Sequence, residues 1–179
     1  MSRPVLVAYA SKHGSTAEVA EVVAATLCEL GLEVDVRPAA DIEDLSLYGG
    51  VVLGGALYMG RLHADARRFL RRNGETLATL PVAVFGMGPR TLEEKDVASS
   101  RAQLEKSLAK RPEVTPFSVT VFGGVVDPAE LDFPFNRAPA SDARDWDAIH
   151  AWAGEVAAQF GGVDKAAPYA VTAGVASVS

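Results

Sequence analysis

Four continuous apolar runs punctuate the chain: Val5 to Tyr9, Val51 to Gly55, Val82 to Gly86 and Val119 to Gly124. Hydrophobicity that runs on rather than alternating suits strands of a parallel sheet covered on both faces. A fifth segment, Glu33 to Arg37, alternates polar with apolar residues. That is the pattern of a strand with one buried side, which belongs at an edge. Helical spacing fills the intervals. Val19, Val23, Leu27 and Leu30 share one stripe, with Glu18 and Glu29 away from it and Gly31 as its C-terminal stop. Ala66, Phe69, Leu70 and Leu77 form a second stripe, with Arg67, Arg68, Arg71 and Arg72 on the water side. A third helix is expected from Glu93 to Ala109, ahead of Pro112. A fourth carries Trp146, Ile149, Ala153, Val156 and Phe160, and Gly161 and Gly162 are expected to end it.

Strand and helix thus alternate along the chain, and right-handed crossovers leave few arrangements open. The fold class predicted is α/β, a doubly wound three-layer sandwich on a five-stranded parallel sheet. Placing the alternating second strand at the edge gives the order 2-1-3-4-5 rather than the longer six-stranded dinucleotide order. Residues 1–162 are expected to form one domain, and the small-residue tail 163–179 to be loosely held. Asp127 to Asp142, with Pro128, Pro134 and Pro139, reads as a long connection before the last helix. Phe133 and Phe135 need burial, so this connection is expected to cover a site at the carboxyl edge of the sheet.

Charge and cysteine content remove several classes. The 179 residues carry 23 acidic and 17 basic side chains, a net charge of −6, against the surplus of cations that nucleic-acid binding demands. The lone Cys28 has no internal disulfide partner and falls in an apolar helical segment, so a packing role and a reducing, cytoplasmic setting are expected. The N-terminal apolar run is short for a secretory signal, and no stretch approaches the roughly 20 apolar residues of a membrane span. Three histidines without ligand spacing predict no metal site.

In an open parallel sheet, ligands bind outside the carboxyl ends of the strands where strand order reverses. Three loops meet there: Ser11 to Thr16, Ala56 to His63, and Met87 to Thr91. The first, Ser11-Lys12-His13-Gly14-Ser15-Thr16, leads from a buried strand into a helix. Hydroxyls, a glycine for the tight turn and the free amides of a helix N-terminus make an anion cradle, most often for phosphate. A plain helix cap would need one hydroxyl, whereas Ser11, Ser15 and Thr16 supply three. Other phosphate motifs fail on inspection. No Gly-Lys-Ser/Thr surrounds Gly14, and Thr91 stands where Gly86-Met87-Gly88 would need a third glycine. A receiver domain would carry an acceptor aspartate where this chain has Gly54 and Gly55. With no Gly-x-Ser-x-Gly elbow and no close Cys/His pair, the chain supplies no reactive group of its own.

Val5-Leu6-Val7-Ala8-Tyr9-Ala10-Ser11-Lys12-His13-Gly14-Ser15-Thr16 resembles the FMN-phosphate strand and loop of flavodoxins, Ser/Thr-x-Thr-Gly-x-Thr, with His13 in place of the middle Thr. Val51-Val52-Leu53-Gly54-Gly55-Ala56-Leu57-Tyr58-Met59-Gly60-Arg61-Leu62-His63, followed by an Arg-rich helix, is similar to the flavodoxin-like menaquinone-dependent protoporphyrinogen oxidases, as is Asp145-Trp146-Asp147 onward. The likeness runs from Pro4 to Phe160 and departs at Asp127 to Asp142, which is shorter and more acidic than the insertion those oxidases carry.

The resemblance implies a flavodoxin-like fold with FMN as cofactor. It places Ser11, Lys12, His13, Gly14, Ser15 and Thr16 around the phosphate. Ala56, Leu57, Tyr58, Met59 and Gly60 would flank one side of the isoalloxazine ring, and Gly86, Met87, Gly88 and Pro89 the other side and the pyrimidine edge. Tyr58 can stack on a ring at low entropic cost. The fourth-strand loop lacks the second stacking aromatic of electron carriers, so one ring face is expected to be open. Lys12, Arg61, His63 and Arg90 flank these loops, which favours the reduced flavin, with Glu93, Glu94 and Asp96 opposing. The function implied is an oxidoreductase passing electrons from a reduced small substrate through FMN to a quinone or similar acceptor. An electron-transfer flavodoxin serving a redox partner protein is the alternative, and a non-catalytic domain holding another phosphorylated ligand a third. The arginines of the second stripe read as a solvated face, or more sharply as a dock for an acidic partner.

Overall fold

All four continuous apolar runs are neighbouring strands of one parallel sheet in the computed structural model, which describes residues 3–11, 14–126 and 140–164. The elements follow in the order β1 (Val5–Ala10), α1 (Ser15–Glu29), β2 (Val34–Pro38), a 3-10 turn (Ala39–Asp41), β3 (Gly50–Tyr58), β4 (Arg61–Leu62) and α2 (Ala64–Leu77). Then come β5 (Val82–Met87), α3 (Glu94–Leu108), β6 (Ser118–Phe122), β7 (Val125–Val126), β8 (Ser141–Asp142) and α4 (Trp146–Asp164). The parallel strands stand in the order β2-β1-β3-β5-β6. This is the expected 2-1-3-4-5, to which the sheet adds a sixth, two-residue strand, β4, antiparallel to β3. In register, Ala10 lies beside Gly55 and Gly55 beside Gly86, so the carboxyl ends of β1, β3 and β5 finish side by side.

Continuous apolar runs are needed because successive strand residues enter two different cores. On one face Val19, Val23 and Leu27 of α1 and Ile149, Trp152 and Val156 of α4 bury against Val7, Val52 and Phe85. On the other, Phe69, Leu70 and Leu77 of α2 and Leu104 of α3 cover Leu6, Val51, Leu53 and Val84. Trp152 stands edge-on to Phe85 and Phe122 at centroid distances of 5.8 and 5.7 Å. Its indole N–H donates to Ser118 Oγ at 2.9 Å, which satisfies the one polar atom it brings inside.

Several expectations need correction. Leu30 is the exposed C-cap of α1 rather than part of its stripe, although Gly31, at φ 97°, does turn the chain away. Cys28 is exposed, because it stands about 100° around the helix from the buried Leu27. Trp146 is largely out of the core, under the guanidinium of Arg144 at 4.9 Å. Gly161 and Gly162 do not end α4, which continues to Asp164. Glycine costs a helix only about 1 kcal/mol and does not terminate it where packing holds the preceding turns. The connection expected over Asp127 to Asp142 is tied at its two ends by β7, just before it, and β8, at its close, antiparallel through Val125 with Asp142 and Val126 with Ser141. Residues 127–139, with Phe133 and Phe135, lie outside the described residues, as does the tail from 165.

Candidate functional site

Past the end of β1, Ser11 Oγ accepts a hydrogen bond from the Gly14 N–H at 2.9 Å. Gly14 is the N-cap of α1 and sits at φ 90°, a left-handed conformation that favours glycine. No side chain caps this helix, so the hydroxyls are not there for capping. Thr16 is wholly buried in the first turn, and its Oγ1 has no hydrogen-bond partner. Leaving such a hydroxyl unsatisfied costs about 1–3 kcal/mol, a penalty an anion beside the unpaired N–H groups of the turn would relieve. Ser15 is half-buried next to it. Lys12 and His13 lie outside the described residues.

The first turn also carries a carboxylate, Glu18, which would repel an anion if left alone. Arg144 answers it. One Nη of Arg144 donates to Glu18, while Nε and the other Nη hold Asp142 at 3.0 and 2.8 Å. The guanidinium draws the Asp142 carboxyl below its ordinary pKa, chiefly through these hydrogen bonds, and its own pKa rises chiefly through the same pair. Nothing near Glu18 in sequence signalled this partner, which comes from the far end of the chain.

The segment Ala56 to His63 is a hairpin rather than a loop. β3 runs on through Ala56, Leu57 and Tyr58, and β4 returns with Leu57 opposite Leu62 and Tyr58 opposite Arg61. Met59 and Gly60 make the two-residue turn at φ 54° and 77°, the doubly positive geometry that tight hairpins favour. Tyr58 and Met59 are exposed. Leu57 turns inward: a Cβ on Gly88 would lie 2.8 Å from its Cδ1, and one on Gly86 3.2 Å from it. The hairpin and the loop after β5 therefore touch, and the outward side chains are Tyr58 and Met59. His63 is the N-cap of α2, its Nδ1 accepting the Asp65 N–H at 3.0 Å. His63, one of the residues expected to flank the ring loops, thus serves as a helix cap.

Met87 ends β5, buried between Ala56 and Phe122. Beyond it the Gly88 N–H donates to the Phe122 carbonyl at 3.1 Å, and the Gly124 N–H donates to the Pro89 carbonyl at 2.9 Å. These bonds lace the loop to the strand after it, and Pro89 is buried there. Thr91 accepts the Glu93 N–H at 3.2 Å and donates to Asp96 at 2.6 Å, binding the start of α3, a role the sequence reading missed. Among the described residues no cluster of His, Cys, Asp and Glu is arranged to hold a metal ion, and no helix is long and apolar enough to cross a membrane.

A family model described as a flavodoxin domain matches residues 6–137. Protoporphyrinogen IX dehydrogenase (quinone) of Escherichia coli K12 is 29% identical over 84 residues, 46% of each chain. The chain thus matches about half the length of that curated relative. Oxidised flavodoxin 2 from Bacillus cereus superposes with a TM-score of 0.61 at 24% identity, covering 87% of this chain and 99% of that one. Rubredoxin oxygen:oxidoreductase from Desulfovibrio gigas gives 0.62 at 15% identity, covering 93% of this chain and 38% of its own. At these identities the two structures establish the fold alone.

Proposed function

The chain belongs to the flavodoxin domain family, whose cofactor is FMN, and from that premise we propose an oxidoreductase that takes electrons from a reduced small substrate and delivers them to a quinone or similar acceptor. The observation that carries the reading is the buried, unpartnered Thr16 hydroxyl in the first turn of α1. A phosphate fits this donor set. Thr16 and Ser15 would donate to it with the free amides of the turn, and Ser11 holds the Gly14 backbone in shape. Lys12 and His13 complete the proposed loop. Arg144 pairs with Glu18 and so offsets part of the charge of the one acidic group in the turn, sharing its guanidinium with Asp142.

When bound, FMN supplies the hydride and electron chemistry that no side chain of this protein offers. The chain positions it. Ala56, Tyr58, Met59 and Gly60 of the hairpin would flank the ring on one side, and Gly86, Met87, Gly88 and Pro89 on the other, with Leu57 as the packing contact that sets their spacing. Exposure of Tyr58 and Met59 leaves room for a small molecule beside the ring. The partial similarity to a quinone-dependent protoporphyrinogen dehydrogenase supports a substrate of its own over pure electron carriage. Residues 1–162 would be the FMN-binding unit, acting in the cytoplasm.

The test is an absorption spectrum of the purified protein, followed by steady-state turnover with protoporphyrinogen IX and a soluble quinone. A flavin spectrum with substrate-dependent quinone reduction is expected. A flavin spectrum without turnover, together with reversible reduction by a flavoprotein reductase, would make the protein a carrier. Absence of flavin after an FMN titration would overturn the cofactor placement.

A further inference from the structure

Between α2 and the end of α3 lies a recess of about 100 Å³ lined by Arg67, Leu70, Arg71, Ser107, Lys110 and Arg111. Four cations converge there in a chain whose net charge is −6, and no acidic side chain lines the recess. Among the described residues none of the four is paired with a carboxylate, although Arg68, Arg101 and Arg144 all are. A helix C-terminus attracts Lys110 and Arg111 by its dipole alone. That leaves Arg67 and Arg71 unexplained, since they come from a different helix and face the same space.

Two of the lining groups are fixed in advance. Arg67 Nε donates to the Leu62 carbonyl at 2.9 Å, which immobilises the guanidinium and leaves its four Nη protons available. Ser107 Oγ accepts the Leu62 N–H at 3.4 Å and keeps its own proton to donate. Both bonds can persist while a ligand is held, so the site pays little ordering entropy on binding. Guanidinium forks, an ammonium and a hydroxyl around a small space match a tetrahedral dianion, which can accept from all of them, better than a flat carboxylate.

We propose that this recess binds a phosphoryl group, free or on a small ester, as a second anion site separate from the one at α1. Two of its lining residues, Arg67 and Ser107, hold the backbone of Leu62 in β4, the strand that closes the Tyr58–Arg61 hairpin, so occupancy would stiffen the hairpin.

The experiment uses FMN-saturated protein, in which the α1 site is filled. Backbone amide shifts are followed by NMR while inorganic phosphate, and in a parallel arm glycerol phosphate, is added at constant ionic strength. Saturable shifts at Leu62 and over 107–111 are expected, and tighter binding in the second arm identifies an ester as the ligand. Arg71→Gln with Lys110→Gln, both at exposed positions, should weaken binding about tenfold or more, Arg71→Lys less, with FMN retained. If the protein takes no FMN, phosphate at the α1 loop would answer to Thr16→Val and not to the recess variants, so the two sites stay distinguishable. Equal shifts with sodium chloride, or unaltered binding in the double variant, would overturn the proposal. Binding of polyglutamate without binding of phosphate would overturn it in favour of an acidic protein dock.

Discussion

The ring of Phe85 lies over Gly54, so that a Cβ on the glycine would stand 2.1 Å from Phe85 Cζ and within 2.6 Å of two more ring atoms. The two residues face each other across β3 and β5, and Phe85 is wedged in turn against Phe122 and Trp152. The ring has nowhere to go. Glycine is required here by packing, which also explains why an acidic acceptor residue has no room at this position. Gly54→Ala should destabilise the fold by about 1–3 kcal/mol, at the upper end of overpacking costs. Urea unfolding measures it, and an unchanged midpoint would contradict the packing account.

How much of this was legible depends on the range of the interaction. The apolar runs and the α2 stripe carry their meaning locally, and the alternation over Glu33 to Arg37 placed β2 at the edge where it lies. That Asp35 is half-buried like Val34 and Val36 was not legible, because Tyr48, whose hydroxyl donates to Asp35 at 2.5 Å, reaches it from a later loop. The hairpin at Met59–Gly60 was missed because Met is a poor sign of positive φ, and a single glycine reads as a loop. The phosphate loop showed its hydroxyls in sequence. That the Thr16 hydroxyl is buried without a partner, and that Arg144 pairs with Glu18, needed the fold.

Arg144 gives the stability a pH dependence. The hydrogen bonds to its guanidinium lower the Asp142 pKa in the folded state, below the roughly 3.9 of an unfolded aspartate. A depressed carboxyl stabilises above the unfolded pKa, and that stability disappears as pH falls through the folded value. The loss therefore lies below about pH 4. Asp142 is largely exposed, so the amount is under about 1 kcal/mol. Unfolding midpoints of wild type and Asp142→Asn should differ at pH 6 and draw together as pH falls below about 4. A constant difference would assign the effect to packing.

Gly60 at φ 77° holds the hairpin turn, and Met59 at φ 54° is the strained member. Gly60→Ala should cost about 1 kcal/mol, and Met59→Gly should cost nothing or stabilise, despite the usual penalty of adding glycine. Thermal unfolding of the two variants checks this. The reverse ranking would mean that the turn is set by side-chain contacts and not by backbone conformation.

Arg61 and Arg90 are both exposed beside the ring loops. A cation about 8 Å from reduced flavin is worth roughly 0.5–2 kcal/mol between dielectrics of about 80 and 20, and solvent exposure puts these two near the lower figure. Arg61→Gln with Arg90→Gln should lower the reduction potential, as potentiometric titration would record. A potential unmoved by both substitutions would favour the carrier reading, in which these cations have no part in easing reduction.

Thr16 separates binding from stability, because its hydroxyl is a liability in the empty protein and an asset in the loaded one. Valine keeps the shape and removes the unsatisfied oxygen, so Thr16→Val should leave the FMN-free protein as stable or about 1 kcal/mol more stable. The same change deletes a hydrogen bond to a charged phosphate, worth about 1.5–3 kcal/mol, so FMN affinity should fall about ten- to a hundredfold. Thr16→Ser keeps the hydroxyl and should bind nearly as well, while losing some stability with the buried methyl. Fluorescence titration with FMN and urea unfolding of the apo forms, run on all three proteins, read the two effects apart. If valine weakened both binding and stability, Thr16 would be a packing residue of α1, and the phosphate would have to be held by the backbone amides and the other hydroxyls of the loop.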